Sequence, residues 1–381
     1  MSKLIFKYGN GKTTDLCQTD YNFREQGAKT AVMNADSNSQ IVSKFEETGK
    51  NLLVRNVDLE FNNNSLFEQL IRLKEKGISN LFIDNVHFLD EKQIFELFIA
   101  SKALNIEIQC YGDRVHNGKV LESSIRTMAL SDNIEKINGI INNSHKSRLQ
   151  FYHGAMNSSK STKLLIKARE LEVKGLKVYT IKHVFDRTEH EIKSRIGISR
   201  KADYVVNDER LYGLGNYLYD HHVNCIFVDE CQFLTEAQIE DLYNINRDFN
   251  IPIECYGLRT DFTTNTFTGS RKLLAIADDL IKAKTICSCK NHPEAIFNAR
   301  VDKKGNFVTE GEQIVVDQGN YVSICPNCYI NKVMGIDLND TKKLVKKLIQ
   351  WNFSLCWVFS KKIIIDVQSL LIYIYSELFT K

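Results

Sequence analysis

The sequence predicts an α/β fold in which a parallel β-sheet flanked by helices occurs twice. Residues 82–114 align with residues 227–259 at a constant offset of 145 without gaps, and fifteen of the 33 pairs are identical. Such regular self-similarity indicates an internal duplication. Each copy also alternates apolar runs of strand length with amphipathic stretches, a rhythm typical of parallel strands joined by covering helices.

The individual elements are clearest in the second copy. Strands are predicted at 149–152, 178–181, 224–229 and 251–256, each bounded by polar or glycine residues. The run 224–229 is mostly apolar, so we expect burial on both of its faces. One helix is predicted over 162–173, ending before Gly175. Another begins after Thr235, where Gln238 completes a capping box.

A chain of 381 residues is expected to form two or three domains. The predicted divisions are a first copy at 1–136, a linker at 137–148, a second copy at 149–286, a cysteine-containing subdomain at 287–333 and a tail at 334–381. The apolar runs of the tail, 351–359 and 363–375, are shorter than the ~20 residues of a membrane span. We interpret the tail as an amphipathic or packing segment. The alternative is a membrane-associated or poorly folded extension.

Charge and composition narrow the class of protein. The formal net charge is +3, which indicates neither nucleic-acid nor membrane-surface binding. Hydrophobic residues form 43% of the chain, enough for sizeable cores. The first residues lead directly into a strand pattern, so we expect no signal peptide and a cytoplasmic protein. In a reducing cytoplasm, clustered cysteines bind metal more often than they form disulfides.

A phosphate-binding loop is predicted between the first strand and first helix of the second copy. Gly154 and Lys160 have the required spacing, and backbone N–H groups of such a loop wrap phosphate oxygens at a helix N-terminus. Lys160 would reach the outer phosphates, and the Ser161 hydroxyl would help to hold Mg²⁺. The pattern therefore predicts a fold like that of the P-loop NTPases; the alternative is an ordinary polar turn. The loop comprises Gly154, Ala155, Met156, Asn157, Ser158, Ser159, Lys160 and Ser161.

The loops of the two copies each depart from the usual phosphate-loop pattern. Ser159 stands where glycine usually precedes the lysine, and we expect strain because glycine tolerates backbone angles that serine does not. In the first copy the offset is 145 at Gly9 but 148 at Lys12, so three loop residues are missing. A loop that short is not expected to encircle a triphosphate.

Two acids end the apolar strand of the second copy. Asp229 is predicted to hold Mg²⁺ through water, and Glu230 to take a proton from a substrate hydroxyl. The alternative is a pair of solvated acids at a strand end. In the first copy the matching residues are Asp84 and Asn85, so an amide replaces the acid that could accept a proton.

Two close pairs of cysteines follow the second copy. Four thiolates from two turns suit a closed tetrahedral structural zinc site. His292 is an alternative ligand for one of them, and unrelated reduced thiols are the alternative to a site. The remaining cysteines lie in strand or helix patterns and are expected in cores. The predicted zinc ligands are Cys287, Cys289, Cys325 and Cys328.

These motifs together resemble the zinc-containing (type II) thymidine kinases over residues 149–333. The most specific stretches are Ala155-Met156-Asn157, Ser194-Arg195-Ile196-Gly197, Val228-Asp229-Glu230-Cys231-Gln232-Phe233, Cys255-Tyr256-Gly257-Leu258-Arg259-Thr260-Asp261-Phe262 and Gly311-Glu312-Gln313. The first copy is also similar to this family but degenerate, lacking the full loop, the acid and the zinc cysteines.

The resemblance implies transfer of phosphate from ATP to the 5′-hydroxyl of thymidine, in nucleotide salvage for DNA synthesis. Glu230 stands at the position of the catalytic base, and Arg187 at that of a phosphate contact. ATP binding extends from the phosphate loop to Asp229, Glu230, Cys231 and Gln232. The nucleoside pocket is implied for Met156, Phe233, Phe262, Phe267 and Tyr321, under a lasso loop anchored by zinc.

The resemblance further implies a homo-oligomer, a dimer or tetramer, in which the first copy acts as an inactive partner domain. One alternative is a decayed nucleotide-binding or regulatory pseudokinase, because Ser159 replaces glycine and Phe185 replaces an acid usual two residues before Arg187. Another is a kinase for a related nucleoside such as deoxyuridine.

Overall fold

The structure is a computed structural model that describes residues 2–36, 38–44, 51–59, 66–137, 148–185, 190–313, 320–338 and 340. Arg187, Cys356, nearly all of the predicted linker and most of the predicted tail lie outside these residues. The chain divides into a compact unit, Met1–Gly335, and a second unit, Ile336–Lys381. Both copies and the cysteine-containing subdomain lie in the first unit. No helix of the described ranges has the length and apolarity that a membrane crossing requires.

The first copy alternates strands and helices. Its strands are β1 (Leu4–Gly9), β2 (Thr30–Asn34), β3 (Gln40–Lys44), β4 (Asn51–Asn56), β5 (Asn80–Asp84), β6 (Glu107–Tyr111), β7 (Val115–His116), β8 (Lys119–Val120) and β9 (Asn133–Ile137). Its helices are α1 (Lys12–Glu25), α2 (Leu66–Glu75), α3 (Glu91–Ala103) and α4 (Glu122–Leu130).

The second copy repeats this order. Its strands are β10 (Leu149–His153), β11 (Val178–His183), β12 (Glu191–Lys193), β13 (Ser199–Lys201), β14 (Tyr204–Val206), β15 (Cys225–Asp229), β16 (Ile253–Gly257) and β17 (Asp279–Lys282). Its helices are α5 (Lys160–Val173), α6 (Leu214–Asp220), α7 (Glu236–Asp248) and α8 (Thr268–Ile276). The predicted strands are found within a few residues of their predicted ends, and the helix predicted over 162–173 begins two residues earlier.

Both main sheets are parallel and have matching strand orders. The first is β2-β5-β6-β1-β9, and the second is β14-β11-β15-β16-β10-β17, so the second adds one edge strand. The fully buried strand β15 lies between β11 and β16. The predicted duplicated α/β fold is therefore confirmed. In both sheets the strand that precedes the loop and the strand that ends in aspartate are separated by one other strand, which brings their carboxyl ends to one edge.

The helix that follows the aspartate strand begins with a capping box in both copies. Thr235 and Gln238 form the predicted capping box at the start of α7. Asp90 and Gln93 form the same box at the start of α3. Each box satisfies backbone N–H groups that a helix end would otherwise leave unpaired. The helix that follows the aspartate strand is thus started in the same way in both halves of the chain.

Where the two copies meet, equivalent residues of each copy make the same contact with the other copy. Arg114 of the first copy donates to the carbonyl oxygen of Ala277 at 2.9 Å, and Arg259 of the second donates to that of Ser131 at 3.0 Å. Arg114 and Arg259 are duplicate positions, as are Ser131 and Ala277, which each follow the last helix of a copy.

A pair of lysines repeats the same exchange. Lys136 donates to the carbonyl oxygen of Asp278 at 2.7 Å, and Lys282 donates to that of Asp132 at 2.6 Å. Edge strands β9 and β17 face each other at this contact. Mirrored contacts of this kind are the mark of an isologous interface, in which the same patch is used on both sides.

The cysteine-containing subdomain follows the second copy. It contains a three-stranded antiparallel sheet of β18 (Phe297–Val301), β19 (Phe307–Val308) and β20 (Asn320–Ile324), in the order β19-β18-β20. A short α-helical segment, Pro326–Cys328, and a π-helical segment, Tyr329–Val333, complete it. The first copy also contacts this subdomain, because the Phe98 ring lies edge-on to the Phe297 ring with centroids 5.7 Å apart.

Candidate active site

A cavity of about 800 Å³ opens at the carboxyl edge of the second sheet. Its walls come from the phosphate loop, the hairpin of β12 and β13, the turn after β15, the segment between β16 and α8, and the antiparallel subdomain. The lining residues used below are Met156, Asn157, Ser159, Lys160, Ser161, Phe185, Lys193, Arg195, Glu230, Gln232, Phe233, Leu258, Asp261, Phe262, Phe267, Asn298, Gln313 and Tyr321.

The phosphate loop wraps around the amino group of its lysine. Lys160 Nζ donates to the carbonyl oxygen of Ala155 at 2.9 Å and contacts Ser158 Oγ at 3.2 Å. Burial lowers the pKa of Lys160, and the nearby carboxylates of Glu230 and Asp229 oppose that effect. The first turn of α5 begins at this lysine, so its N–H groups and the positive end of the helix dipole face the loop.

Ser159 adopts the backbone conformation that the sequence predicted to be unsuited to serine. Its φ is 59° and its ψ is 30°, which is the left-handed region. In the first copy, Gly11 holds the same place before Lys12 with φ 79° and ψ 18°. A residue with a Cβ atom pays about 1–2 kcal/mol in this region. The degenerate copy therefore retains the favourable residue, and the complete loop carries the strained one.

Ser161 and Asp229 come together as the predicted magnesium pair. The Ser161 hydroxyl donates to Asp229 Oδ1 at 3.2 Å, although the residues are 68 positions apart. Hydroxyl and carboxylate oxygens are ligands that Mg²⁺ prefers. Asp229 is only 3% exposed and is not among the residues that line the cavity, whereas Ser161 lines it.

Glu230 is held beside the cavity by a short chain of hydrogen bonds. Its carboxylate accepts from Gln232 Nε2 at 2.6 Å, and Gln232 Oε1 in turn accepts from the backbone N–H of Leu258 at 3.0 Å. Glu230 has φ 48°, a left-handed conformation that turns the chain sharply after β15. A Cβ atom on Gly257 would lie 2.6 Å from Gln232 Oε1, so glycine there leaves room for the glutamine.

Aromatic rings form the far wall of the cavity. The Phe233 ring contacts those of Phe185 and Phe267 edge-on, with centroids 6.1 Å apart in both pairs. Met156, Phe262 and Tyr321 complete the apolar lining. Phe185, which stands where the family usually has an acid, extends this wall. Flat apolar walls of this kind suit the faces of a planar base.

Phe262 is fixed on both sides. The Arg300 guanidinium lies over its ring at 3.9 Å from the centroid, and the Tyr329 hydroxyl donates to its carbonyl oxygen at 2.6 Å. The neighbouring Asp261 accepts from Gln313 Nε2 at 2.8 Å. Residues of the antiparallel subdomain and the segment before β20 therefore hold the wall of the cavity in place.

The same subdomain also holds the phosphate loop. The Met156 N–H donates to Asn298 Oδ1 at 2.7 Å, and the Ser323 hydroxyl donates to the Met156 carbonyl oxygen. Asn298 on β18 and Ser323 on β20 are partners in register. A displacement of this sheet would move the loop and the aromatic wall together.

The four predicted zinc ligands lie close together in the same subdomain. The sulfur atoms of Cys287, Cys289, Cys325 and Cys328 all lie within 4.8 Å of one another. Burial opposes ionisation of Cys287, but backbone N–H groups of Cys289 and Cys325 and neighbouring thiols lower its pKa to about 7. Four convergent thiols suit a tetrahedral zinc ion. The His292 ring instead lies against the Cys287 carbonyl oxygen at 3.2 Å.

Other predicted site residues occupy different places. Gly154, Ala155 and Cys231 lie behind the cavity lining, where Ala155 and Cys231 are buried and a Cβ atom on Gly154 would lie 2.4 Å from the Ala283 carbonyl oxygen. Arg187 lies outside the described residues.

Several polar residues of the lining were given no role from the sequence, among them Lys193, Arg195, Asn298 and Gln313. Arg195 bonds to Asn157 of the phosphate loop, from a hairpin whose position no local pattern indicates. Its motif in the family resemblance was the only signal.

Comparison with known proteins agrees with this geometry. The sequence profile of the thymidine kinase family matches residues 3–148 and again 147–329. The thymidine kinase of Enterobacteria phage T4 is 39% identical over 180 residues, which is 46% of this chain and 92% of that protein. That of Legionella pneumophila is 41% identical over 185 residues, 47% of this chain and 87% of that protein. That of Yersinia pseudotuberculosis is 37% identical over 195 residues, 48% and 94% respectively.

Each relative is thus matched over most of its length by about half of this chain, as a duplication requires. Two matches to one profile cover the two α/β copies and most of the cysteine-containing subdomain. The chain belongs to the thymidine kinase family.

Proposed function

We propose that this protein is a thymidine kinase that transfers the γ-phosphate of ATP to the 5′-hydroxyl of thymidine. The observation that carries the proposal is the meeting of three parts at one cavity: a complete phosphate loop, a carboxylate held by a glutamine, and an apolar aromatic wall. Membership of the thymidine kinase family supports the choice of substrate.

Triphosphate binding is assigned to the loop and the start of α5. Lys160 now donates to loop carbonyl and hydroxyl oxygens, so its amino group is already positioned where phosphate oxygens would arrive. Arg195 and Lys193 add positive charge from the hairpin side of the cavity. Mg²⁺, when bound through Ser161 and Asp229, would neutralise charge on the transferring phosphate.

Glu230 is assigned as the group that accepts the proton of the 5′-hydroxyl. Gln232 holds its carboxylate in one orientation, and Leu258 holds Gln232. A base locked in this way loses little entropy when the substrate hydroxyl arrives. Glu230 lines the same cavity as Lys160. This is required of a base that accepts the proton of a hydroxyl attacking the bound triphosphate.

The nucleoside is assigned to the pocket between Phe233, Phe262, Phe267 and Tyr321. Rings on several sides would enclose the base, and the fixed backbone around Phe262 would present hydrogen-bonding groups that accept thymine and reject mismatched bases. Zinc at the four cysteines would act as a structural anchor for this wall. Assembly into a dimer or tetramer and a cytoplasmic location remain predictions.

Activity of paired lysine variants tests the proposal. The purified full-length protein, with zinc retained, should phosphorylate thymidine in the presence of ATP and Mg²⁺. Lys160→Ala should abolish transfer, whereas Lys12→Ala, at the duplicate position of the shortened loop, should retain it. A folded, zinc-loaded protein without activity would favour the pseudokinase alternative, and equal losses in both variants would contradict the assignment of the chemistry to the second copy.

A further inference from the structure

The first copy reaches the wall of the candidate nucleoside pocket with an arginine. Helix α4 of the first copy lies beside helix α8 of the second. From α4, Arg126 Nη1 donates to the carbonyl oxygen of Thr264 at 2.7 Å and contacts the Thr264 hydroxyl at 3.3 Å. The residues are 138 positions apart and belong to different copies.

The segment that Arg126 contacts is the turn between the two aromatic residues Phe262 and Phe267. Asp261 organises this turn, because its Oδ1 accepts from the backbone N–H groups of Thr263 at 2.8 Å and Asn265 at 3.0 Å. The other oxygen of Asp261 accepts from Gln313 at the edge of the cavity. A shift of the turn would therefore be felt by both rings and by Gln313.

Thr264 is the residue in this turn that most needs an external partner. Its φ is 68°, in the left-handed region, and it is only 1% exposed. A β-branched residue with positive φ is a strained exception that persists only when its surroundings enforce it. Its buried carbonyl oxygen also requires a donor, since an unpaired buried carbonyl is costly. Arg126 supplies that donor.

Arg126 also forms an ion pair within its own copy. Its side chain is 19% exposed, and its Nε lies 3.3 Å from the Glu91 carboxylate at the start of α3. A second cross-copy contact lies close by, where Arg271 on α8 donates to Glu122 at the start of α4. Lys272, at the position of α8 that matches Arg126 in α4, pairs instead with Glu240 of its own copy. The Arg126 contact thus runs from the degenerate copy to the complete one.

We propose that Arg126 of the first copy is a positioning residue for nucleoside binding by the second copy, acting through the turn of residues 261–266. This inference rests on the proposed function, because it assigns the nucleoside to the pocket beside that turn. It gives the first copy a functional contribution although that copy lacks the complete phosphate loop and the acid.

Kinetics of an apolar substitution of similar length test the inference. In Arg126→Met, the KM for thymidine should rise about tenfold, the size expected for one lost charge-assisted hydrogen bond that supports the ligand indirectly. The KM for ATP and kcat should change by less than about twofold, since Lys160 and Glu230 are untouched. Arg126→Lys, which keeps one donor, should recover part of the loss. Arg72→Met, an exposed arginine on α2 of the same copy, is the matched control.

Hydrogen exchange supplies a readout that does not depend on activity. Amides of residues 258–268 should exchange faster in Arg126→Met than in the wild type or Arg72→Met, while those of β15 and β16 stay unchanged. Absence of transfer by the wild-type protein would refute the proposed function, and exchange would still decide the role of Arg126.

Three results would overturn the inference. One is an unchanged thymidine KM together with unchanged exchange at 258–268. Another is the same rise in KM in Arg72→Met. The third is an equal loss in both KM values and kcat with a lowered melting temperature, which would mark Arg126 as merely structural.

Discussion

The two copies keep the same framework around very different chemistry. In the first, the Thr13 hydroxyl donates to Asp84 Oδ2 at 3.1 Å, as Ser161 does to Asp229 at 3.2 Å in the second. The residue after each aspartate has positive φ, 56° at Asn85 and 48° at Glu230. The backbone turn at Glu230, the proposed base, is therefore matched at Asn85, where an amide takes the place of the carboxylate.

The differences lie in the groups that would touch substrate. Lys12 of the shortened loop donates to Asp113 at 2.7 Å, so a carboxylate of the protein already occupies its amino group. Asn85 bonds to Asn34 at 3.1 Å and has no carboxylate to offer. The two copies therefore share their framework and the contacts between them, and differ in the phosphate loop and in the residue after the aspartate.

The largest expected effect comes from the acid itself. Glu230→Gln should lower kcat by about 10²–10⁴-fold because the amide cannot accept the substrate proton. Nucleotide binding, measured by calorimetry, should persist. The reverse change at the duplicate position, Asn85→Glu, should leave kcat unaltered, since the first copy lacks the full loop. A kcat for Glu230→Gln within twofold of wild type would remove Glu230 from its assigned role.

Removal of zinc is expected to affect the second copy alone, because the cysteine-containing subdomain follows that copy. Chelation of zinc or Cys328→Ser should raise the thymidine KM by about a hundredfold, since the sheet bearing Asn298 and Ser323 positions both the loop and the wall. Cys17→Ala, which removes a buried thiol of the first copy, is the control for general destabilisation. Full activity in zinc-free protein would contradict this view of the subdomain.

A pH effect distinguishes the loop-bearing strands of the two copies. His153 at the end of β10 is buried, and its Nε2 has no hydrogen-bond partner within the described part of the chain. Burial is the largest cause that holds the pKa of His153 well below its usual value, and the positive charges of Arg259, Lys282 and Lys160 add to it. Tyr8 occupies this position in β1.

The sign of the effect follows from proton uptake. Below pH 6.5 the unfolded chain binds a proton at His153 that the folded chain rejects, so stability falls as the pH is lowered from about 6.5 towards the folded pKa. This one group contributes a slope of up to about 1.4 kcal/mol per pH unit. His153→Gln should reduce the slope of unfolding free energy against pH between 7 and 5.5. An identical slope would show that the folded and unfolded chains bind the same number of protons at His153, contrary to its lowered pKa.

The smallest expected effect concerns the residue before each lysine. Ser159→Gly should raise the free energy of unfolding by about 1 kcal/mol because glycine relieves the left-handed strain. Gly11→Ser should lower it by a similar amount. A Cβ atom at Gly11 meets nothing within 4 Å, so backbone strain is the only cost. Denaturant titrations measure both changes, and effects of the same sign would exclude this explanation.

Local patterns predicted the parts of the molecule that are built from neighbouring residues. The capping box of Thr235 and Gln238, the alternation of strands and helices along the chain and the cysteine pairs follow from short spacings, and the structure contains them. The start of α5 was placed too late because Ser159 offers no side-chain cap and the loop itself begins the helix.

Contacts between segments that are distant in the sequence could not be predicted from local patterns. Nothing near Asn298 in the sequence indicates that it holds Met156, 142 positions away, and nothing near Arg126 indicates Thr264. The rings around Phe262 were named only through the resemblance, since their grouping depends on how the antiparallel sheet packs. Packing across the fold, unlike capping or spacing, is decided by residues that lie far apart in the sequence.

The claim that the second copy alone performs the chemistry is tested most directly at Asp229 and Asp84, which each accept a hydrogen bond from the hydroxyl of their own loop. Steady-state phosphorylation of thymidine should be measured for Asp229→Asn and Asp84→Asn in the full-length, zinc-loaded protein. We expect near-complete loss of kcat for Asp229→Asn and a kcat within about twofold of wild type for Asp84→Asn, because only Asp229 accepts from a residue of a complete phosphate loop. Comparable losses in the two variants would contradict the claim that the second copy alone performs the chemistry.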